Sequence, residues 1–276
     1  MSFHETKHSG AGRCKQCPAM RHSVCGSVDE RALRELGLSS RTRLMAADET
    51  VLIAGNDAAV VGILRVGIVR VVGTLPDGRH QVVGLLYPGE LVGLPILGQS
   101  AFAYECATEF EICVFERSRF DKIVRQTPEM LQELYMSALA DGNMMRERMM
   151  LCASQSTLER IATYLLMMLD RREVQMERLN LISQKKVAVS AISRRDLASY
   201  LGTTIESISR NIHTLASRGI VRIIDSSHFE VLDRPALLSL SGVAEDDLSL
   251  LRHGPKARVP ASTAVSPTSS TAVAPV

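Results

Sequence analysis

The chain has 276 residues, enough for two compact domains with cores of their own, and no run of eighteen apolar residues, which excludes a transmembrane span. Lys7 and Arg13 are followed by no apolar stretch, so no secretory signal is read, and six cysteines are too few for a disulfide scaffold. The formal net charge is +2, but between Lys185 and Arg222 seven Lys/Arg face two Asp/Glu, whereas between Gly26 and Thr127 eleven face thirteen; one end is prepared for a polyanion.

Residues 1–27 form an arm that carries Cys14, Cys17 and Cys25, two of them as Cys-x-x-Cys before Pro18. In a reducing, cytoplasmic setting such a cluster fits a zinc site, a dithiol redox pair or an iron–sulfur centre. All three need thiolates, which Arg13, Lys15 and Arg21 would favour electrostatically. Asp29 to Leu38 then reads as a short helix. Residues 28–127 read as a β domain, with strands at Val51–Ile53, Val60–Leu64, Gly67–Val72, Gln81–Leu86 and Glu111–Phe115. Pro76-Asp77-Gly78 is a hairpin turn signal, and Pro88-Gly89 and Gly98 mark others. Short strands with no helix between them predict a small barrel or jelly roll rather than an α/β sheet.

After Pro128 the period becomes helical. Leu131, Tyr135, Ala138, Gly142, Met145, Met149 and Cys152 alternate steps of four and three, the seam of a coiled coil, and predict a symmetric dimer through a helix over 128–153. A second helix over Thr157–Arg171 carries Leu158, Ile161, Leu165 and Met168 on one face. Residues 254–276, rich in Pro, Ser, Thr, Ala and Val, read as a disordered tail.

The strongest motif lies within 154–240. Ser193-Arg194-Arg195-Asp196 resembles a capping box opening a short helix, Gly202 supplies a tight turn, and Thr204 caps a second helix. On that helix Ile205, Ile208, Ile212 and Leu215 form a buried stripe, and Gly219 ends it. This is a helix-turn-helix, followed by a two-stranded wing over Ile220–Ile224 and Phe229–Leu232. Glu206, Ser209 and Arg210 share the exposed face near the N-terminal half of the second helix, where base edges are read. Arg210 can bridge guanine, Glu206 can accept from a cytosine amino group, and Ser209 can bond a base or phosphate. Thr204, Arg194, Arg195 and Arg218 are candidate phosphate contacts, with Lys185, Lys186 and Arg222 beside them. The rival reading of Glu206 and Arg210 is a solvated i, i+4 salt bridge.

Barrel, dimer helix and winged helix-turn-helix together, an α+β architecture with a cyclic-nucleotide-binding-like barrel, resemble the Crp/Fnr family of bacterial transcription regulators over about residues 13–240. The resemblance rests on Asp77-Gly78-Arg79, Pro88-Gly89-Glu90-Leu91-Val92-Gly93 and Ile205-Glu206-Ser207-Ile208-Ser209-Arg210. The last is similar to the Glu-x-x-Ser-Arg signature of the Fnr branch, whose dimers bind TTGAT-N4-ATCAA-like palindromes. The resemblance implies four thiolates holding an oxygen-labile [4Fe–4S] cluster: Cys14, Cys17 and Cys25, spaced as in the FnrN/FnrL subgroup, and Cys113. It also implies that the Asp77–Gly84 hairpin contributes a surface for RNA polymerase. Between Arg79 and Arg117 no Lys or Arg occurs, so an anionic nucleotide phosphate would be unpaired there, and no cyclic nucleotide is expected. A disulfide-responsive regulator and a zinc-stabilised constitutive DNA binder remain the alternatives. Cys106 and Cys152 read as small buried residues. A thiol-exchange enzyme is not expected, because no thioredoxin-like βαβ setting surrounds the Cys-x-x-Cys.

Overall fold

The computed structural model describes residues 5–6, 12–55, 61–93, 99–178, 187–189 and 192–244. The tail at 254–276, Lys185 and Lys186 lie outside them. In chain order the elements are β1 (Glu5–Thr6), α1 (Gly12–Lys15), two 3-10 turns (Met20–His22 and Val24–Gly26), α2 (Glu30–Leu38), β2 (Ser40–Met45), β3 (Thr50–Leu52), β4 (Val61–Val66), β5 (Val69–Thr74), β6 (His80–Leu86), β7 (Leu91–Val92), β8 (Ala103–Cys106) and β9 (Phe110–Phe115). There follow α3 (Arg117–Gln126), α4 (Pro128–Ser154), α5 (Thr157–Arg178), β10 (Val187–Val189), α6 (Arg194–Leu201), α7 (Ile205–Ser217), β11 (Val221–Ile223), β12 (His228–Val231) and α8 (Arg234–Ser241).

The β domain is two antiparallel sheets, in the orders β1-β2-β9-β4-β7 and β3-β8-β5-β6. Leu64, Val69, Val92, Cys106, Phe110 and Ile112 fill the space between them. The predicted strands are all present within a few residues. β2 goes beyond them: its alternating Arg41 and Arg43 mask a strand whose partner is β9, Thr42 opposite Cys113 and Leu44 opposite Glu111. The hairpin turn at Pro76-Asp77-Gly78 joins β5 to β6 as predicted, with Gly78 at φ +83°.

α4 runs 27 residues, about 40 Å, from Pro128. Met130, Leu134 and Met144 turn inward, while Leu131, Tyr135, Met145 and Met149 lie on an adjoining, exposed face. Gly142 is half-buried and Ala138 exposed on that face. Cys152 departs from the predicted seam. It lines a cavity within its own chain, with Tyr164, Tyr200 and Leu201, because α5 and α6 pack on the last turns of α4.

The C-terminal domain is built on α5. Ile161, Leu165, Leu166 and Leu169 meet Leu197 and Leu201 of α6, and Ile208, Ile212 and Leu215 of α7. Ile205 is 41% exposed, so the buried stripe of α7 begins one turn later than predicted. The wing has three strands instead of two, ordered β10-β12-β11. Ile68, Val82 and Leu85 of the β domain belong to the same apolar cluster as the C-terminal core. The two domains therefore share one continuous core.

Candidate thiol cavity and nucleic-acid interface

The arm is pinned by Ala19 and Val24, which are buried against Leu36, Phe115, Phe120, Met130 and Leu134. Its short turns are closed locally: Cys17 N–H donates to Cys14 O at 3.2 Å and Met20 N–H to Cys17 O at 3.1 Å. Buried Ser23 accepts from the Cys25 amide at 3.3 Å and donates to Met20 O at 3.2 Å. This brings Cys14, Cys17 and Cys25 to β9, where Cys113 sits between Thr42 of β2 and Ile63 of β4. The four thiols line one cavity of about 580 Å³, its open mouth included, with Met20, Ile63, Arg65 and Phe115 among the other walls. Cys106 is fully buried between the sheets and takes no part.

Burial dominates the chemistry of these sulfurs. It pushes the Cys25 thiol up to about 12, against the hydrogen bond from Ser23, and the Cys113 thiol up to about 11, against one from Ser40. Cys14 is also raised, first by burial and then by the charge of Cys17. At Cys14, Cys25 and Cys113, then, burial outweighs the pull of neighbouring charge. Lys15 is drawn off to Glu30 at 2.7 Å, and the side chains of Arg13 and Arg21 lie outside the described residues. Protonated thiols are poor nucleophiles, and any metal loading must displace their protons. Among the described residues, no three His, Cys, Asp or Glu side chains converge tightly enough to hold a single metal ion.

At the other end, Ser193 caps α6: its Oγ accepts from the Asp196 amide at 3.1 Å and donates to Asp196 Oδ2 at 2.8 Å. Gly202 ends it in the left-handed region, φ +65°, and Thr204 Oγ1 caps α7 by accepting from Ser207 N–H at 3.2 Å. Glu206 and Arg210 are exposed, and Arg210 donates to Ser207 Oγ at 3.3 Å instead of closing a salt bridge on Glu206. The Glu206 carboxyl lies below its ordinary value because its own backbone amide and Thr204 hydrogen-bond it. Ser209 is half-buried and accepts from Arg194 at 3.0 Å, so Arg194 ties α6 to α7. Arg195 and Arg218 project into solvent beside them.

Sequence reading left four arginines unassigned, and three of them join the β domain to the C-terminal domain. Arg70 of β5 donates to Asp196 (3.1 Å), Glu105 (2.9 Å) and Asp48 (2.8 Å). Arg148 of α4 donates to the carbonyls of Val82, Val83 and Tyr200, and its guanidinium stacks 3.9 Å over the Tyr200 ring. Arg171 of α5 lies 4.0 Å over the Tyr87 ring and 3.6 Å from Glu90. Arg65 of β4 pairs with Glu111 at the wall of the thiol cavity. Burial raises the Glu90 carboxyl to about 7 despite Arg171, and Asp141 adds to the rise. A larger cavity of about 1450 Å³, counting its open mouth, lies between the β domain and α4; among the described residues its one arginine, Arg148, is committed to the bonds just given.

Residues 42–127 match the model of a cyclic nucleotide-binding domain and residues 159–240 that of a Crp-like helix-turn-helix domain. A probable transcriptional activator of Rhizobium leguminosarum bv. viciae is 31% identical over 224 residues, 81% of this chain and 91% of that protein. The transcriptional activator protein FnrL of Cereibacter sphaeroides is 31% identical over 236 residues, 85% of this chain and 94% of that one. Among solved structures, FixK2 from Bradyrhizobium japonicum superposes with a TM-score of 0.65 at 26% identity, covering 74% of this chain and 98% of its own. These similar proteins are regulators of transcription, not enzymes. No helix among the described residues is long and apolar enough to cross a membrane.

Proposed function

Since the chain belongs to the Crp/Fnr family of transcription regulators, which work as dimers on DNA, we propose that it is an oxygen-responsive activator holding a [4Fe–4S] cluster on Cys14, Cys17, Cys25 and Cys113. One observation carries this reading: four thiols, from the arm and from β9, face a single cavity. The donor set fits. Four cysteines are the ligand set of such a cluster; zinc accepts the same four, and metal analysis separates the two. When bound, the cluster would supply an oxygen-labile bond between arm and barrel.

The rest is done by the chain. Ala19 and Val24 of the arm bear on Met130 and Leu134, so the arm's position sets the footing of α4. The exposed face of α4, with Leu131, Tyr135, Met145 and Met149, is where a second copy packs, and pairing spaces two α7 helices for two half-sites. Glu206, Ser209 and Arg210 then read base edges, while Arg195 and Arg218 contact phosphates. The exposed tip around Asp77 and Arg79 offers a surface to RNA polymerase. A cyclic nucleotide is not the effector. No Lys or Arg lies between Arg79 and Arg117, and Arg148, the cation of the large cavity, is already bonded to three carbonyls.

Purification of the full chain without oxygen tests the proposal. A brown protein with iron and sulfide in equal amounts is expected, bleaching in air while losing dimer and operator affinity. A colourless zinc protein whose DNA binding ignores air would overturn it, as would a switch that needs only a disulfide.

A further inference from the structure

Arg65 stands where a buried anionic group would need a partner. Its guanidinium lines the thiol cavity, is held from outside by Glu111, and reaches Thr42 Oγ1 at 3.5 Å. Its Nε is buried with no hydrogen-bond partner, and a buried donor left unsatisfied is destabilising. Apart from this one cation, the described cavity wall is apolar or neutral: Met20, Ile63 and Phe115 with Ser23, Ser40 and Thr42.

We infer that Arg65 is a positioning residue for the iron–sulfur site, directing one positive charge and a free Nε–H at the cysteine sulfurs, with Glu111 setting how much of that charge they feel. The inference rests on the cluster reading above. Four thiolates around an iron–sulfur centre carry net negative charge, and the potential of such a centre follows net charge and hydrogen bonds to its sulfurs. A nearby cation makes the centre easier to reduce and harder to oxidise. Removing Arg65 must therefore lower the midpoint potential and hasten attack by oxygen. Removing the Glu111 charge leaves Arg65 uncompensated, and must do the opposite. Opposed shifts from two touching residues are what a charge effect produces and a packing defect does not.

The test uses the full chain, isolated without oxygen, as wild type, Arg65→Met, Arg65→Lys and Glu111→Gln. Iron and sulfide content, midpoint potential and the rate of bleaching in air are read for each. Arg65→Met is expected to load iron like wild type, to have a more negative midpoint and to bleach severalfold faster. Glu111→Gln is expected to have a more positive midpoint and to bleach more slowly, with Arg65→Lys between wild type and Arg65→Met. Should Arg65→Met fail to fold, Arg65→Lys and Glu111→Gln decide the matter by the same signs. Variants that load normally and match wild type, or that all shift one way, overturn the role of Arg65 and leave the cluster standing. A wild-type protein without iron and sulfide overturns the cluster reading itself, and this inference with it.

Discussion

Replacing Arg70 by Met should destabilise the protein more than replacing any single carboxylate it binds. The reason is an asymmetry in what each substitution leaves behind. Arg70 is 15% exposed and faces Asp196 at 10%, Glu105 at 26% and Asp48 at 80%. Burial works against its charge, but the hydrogen bonds and charges of Glu105, Asp196 and Asp48 more than offset that, so its pKa is raised. Without Arg70, the Asp196 carboxylate is stranded in the domain joint, a loss of about 3–5 kcal/mol for a buried pair broken from one side. With Asp196→Asn, Arg70 keeps two carboxylates and the amide oxygen still accepts, so about 1.5–3 kcal/mol is expected, the range of a hydrogen bond to a charged group. Asp48→Asn removes an exposed pair and should cost about 0–1 kcal/mol. Urea unfolding at fixed protomer concentration measures all three, with the two domains followed separately because a single transition is not assured. A cost for Asp196→Asn equal to or above that of Arg70→Met would refute the reasoning.

Cys113→Ser should abolish iron loading while Cys106→Ser leaves it intact, checked by iron assay, since of these two Cys113 alone faces the cavity. Arg210→Ala should relax base preference at one position per half-site at a cost of about 1–3 kcal/mol, measured by binding to a set of single-base operator variants. Met149 is 72% exposed on α4, so Met149→Glu should shift the protein toward monomer in sedimentation with little change in monomer stability. Glu90 is raised from 4.5 to about 7 by burial first, so its folded form holds a proton that the unfolded chain has released. The stability it contributes is complete below about pH 4.5 and lost as pH rises through about 7; Glu90→Gln should flatten that slope in unfolding titrations.

How legible each part was follows from how local its determinants are. The helix-turn-helix announces itself because a capping serine, a left-handed glycine and a capping threonine each act within three or four residues. β2 stayed hidden because its charged residues alternate and its reason for being a strand is β9, some seventy residues on. α3 was missed for a different reason: its N-cap Glu116 makes no side-chain cap bond, and only Phe120 and Ile123 are buried. α8 carried a readable signal, Asp233 capping Ala236 with Pro235 in the first turn. Three of the four cavity thiols were visible as a cluster, but their protonation was not. Neighbouring cations in sequence argued for thiolates, and burial, which only the fold determines, argues the other way. Ion pairs such as Arg70 with Asp196, 126 residues apart, leave no trace in a local pattern.

The turn at Pro88-Gly89-Glu90 touches both halves of the molecule at once. Gly89 sits at φ +99°, and a Cβ there would lie 2.6 Å from the carbonyl oxygen of His22 in the arm. One residue on, Glu90 meets Arg171 of α5, the helix on which the DNA-reading domain is built. This turn therefore lies against the arm on one side and presents a buried carboxyl group to α5 on the other. Contacts so tight transmit displacement rather than absorb it. A side chain at position 89 would have to push His22 and the arm away from this turn.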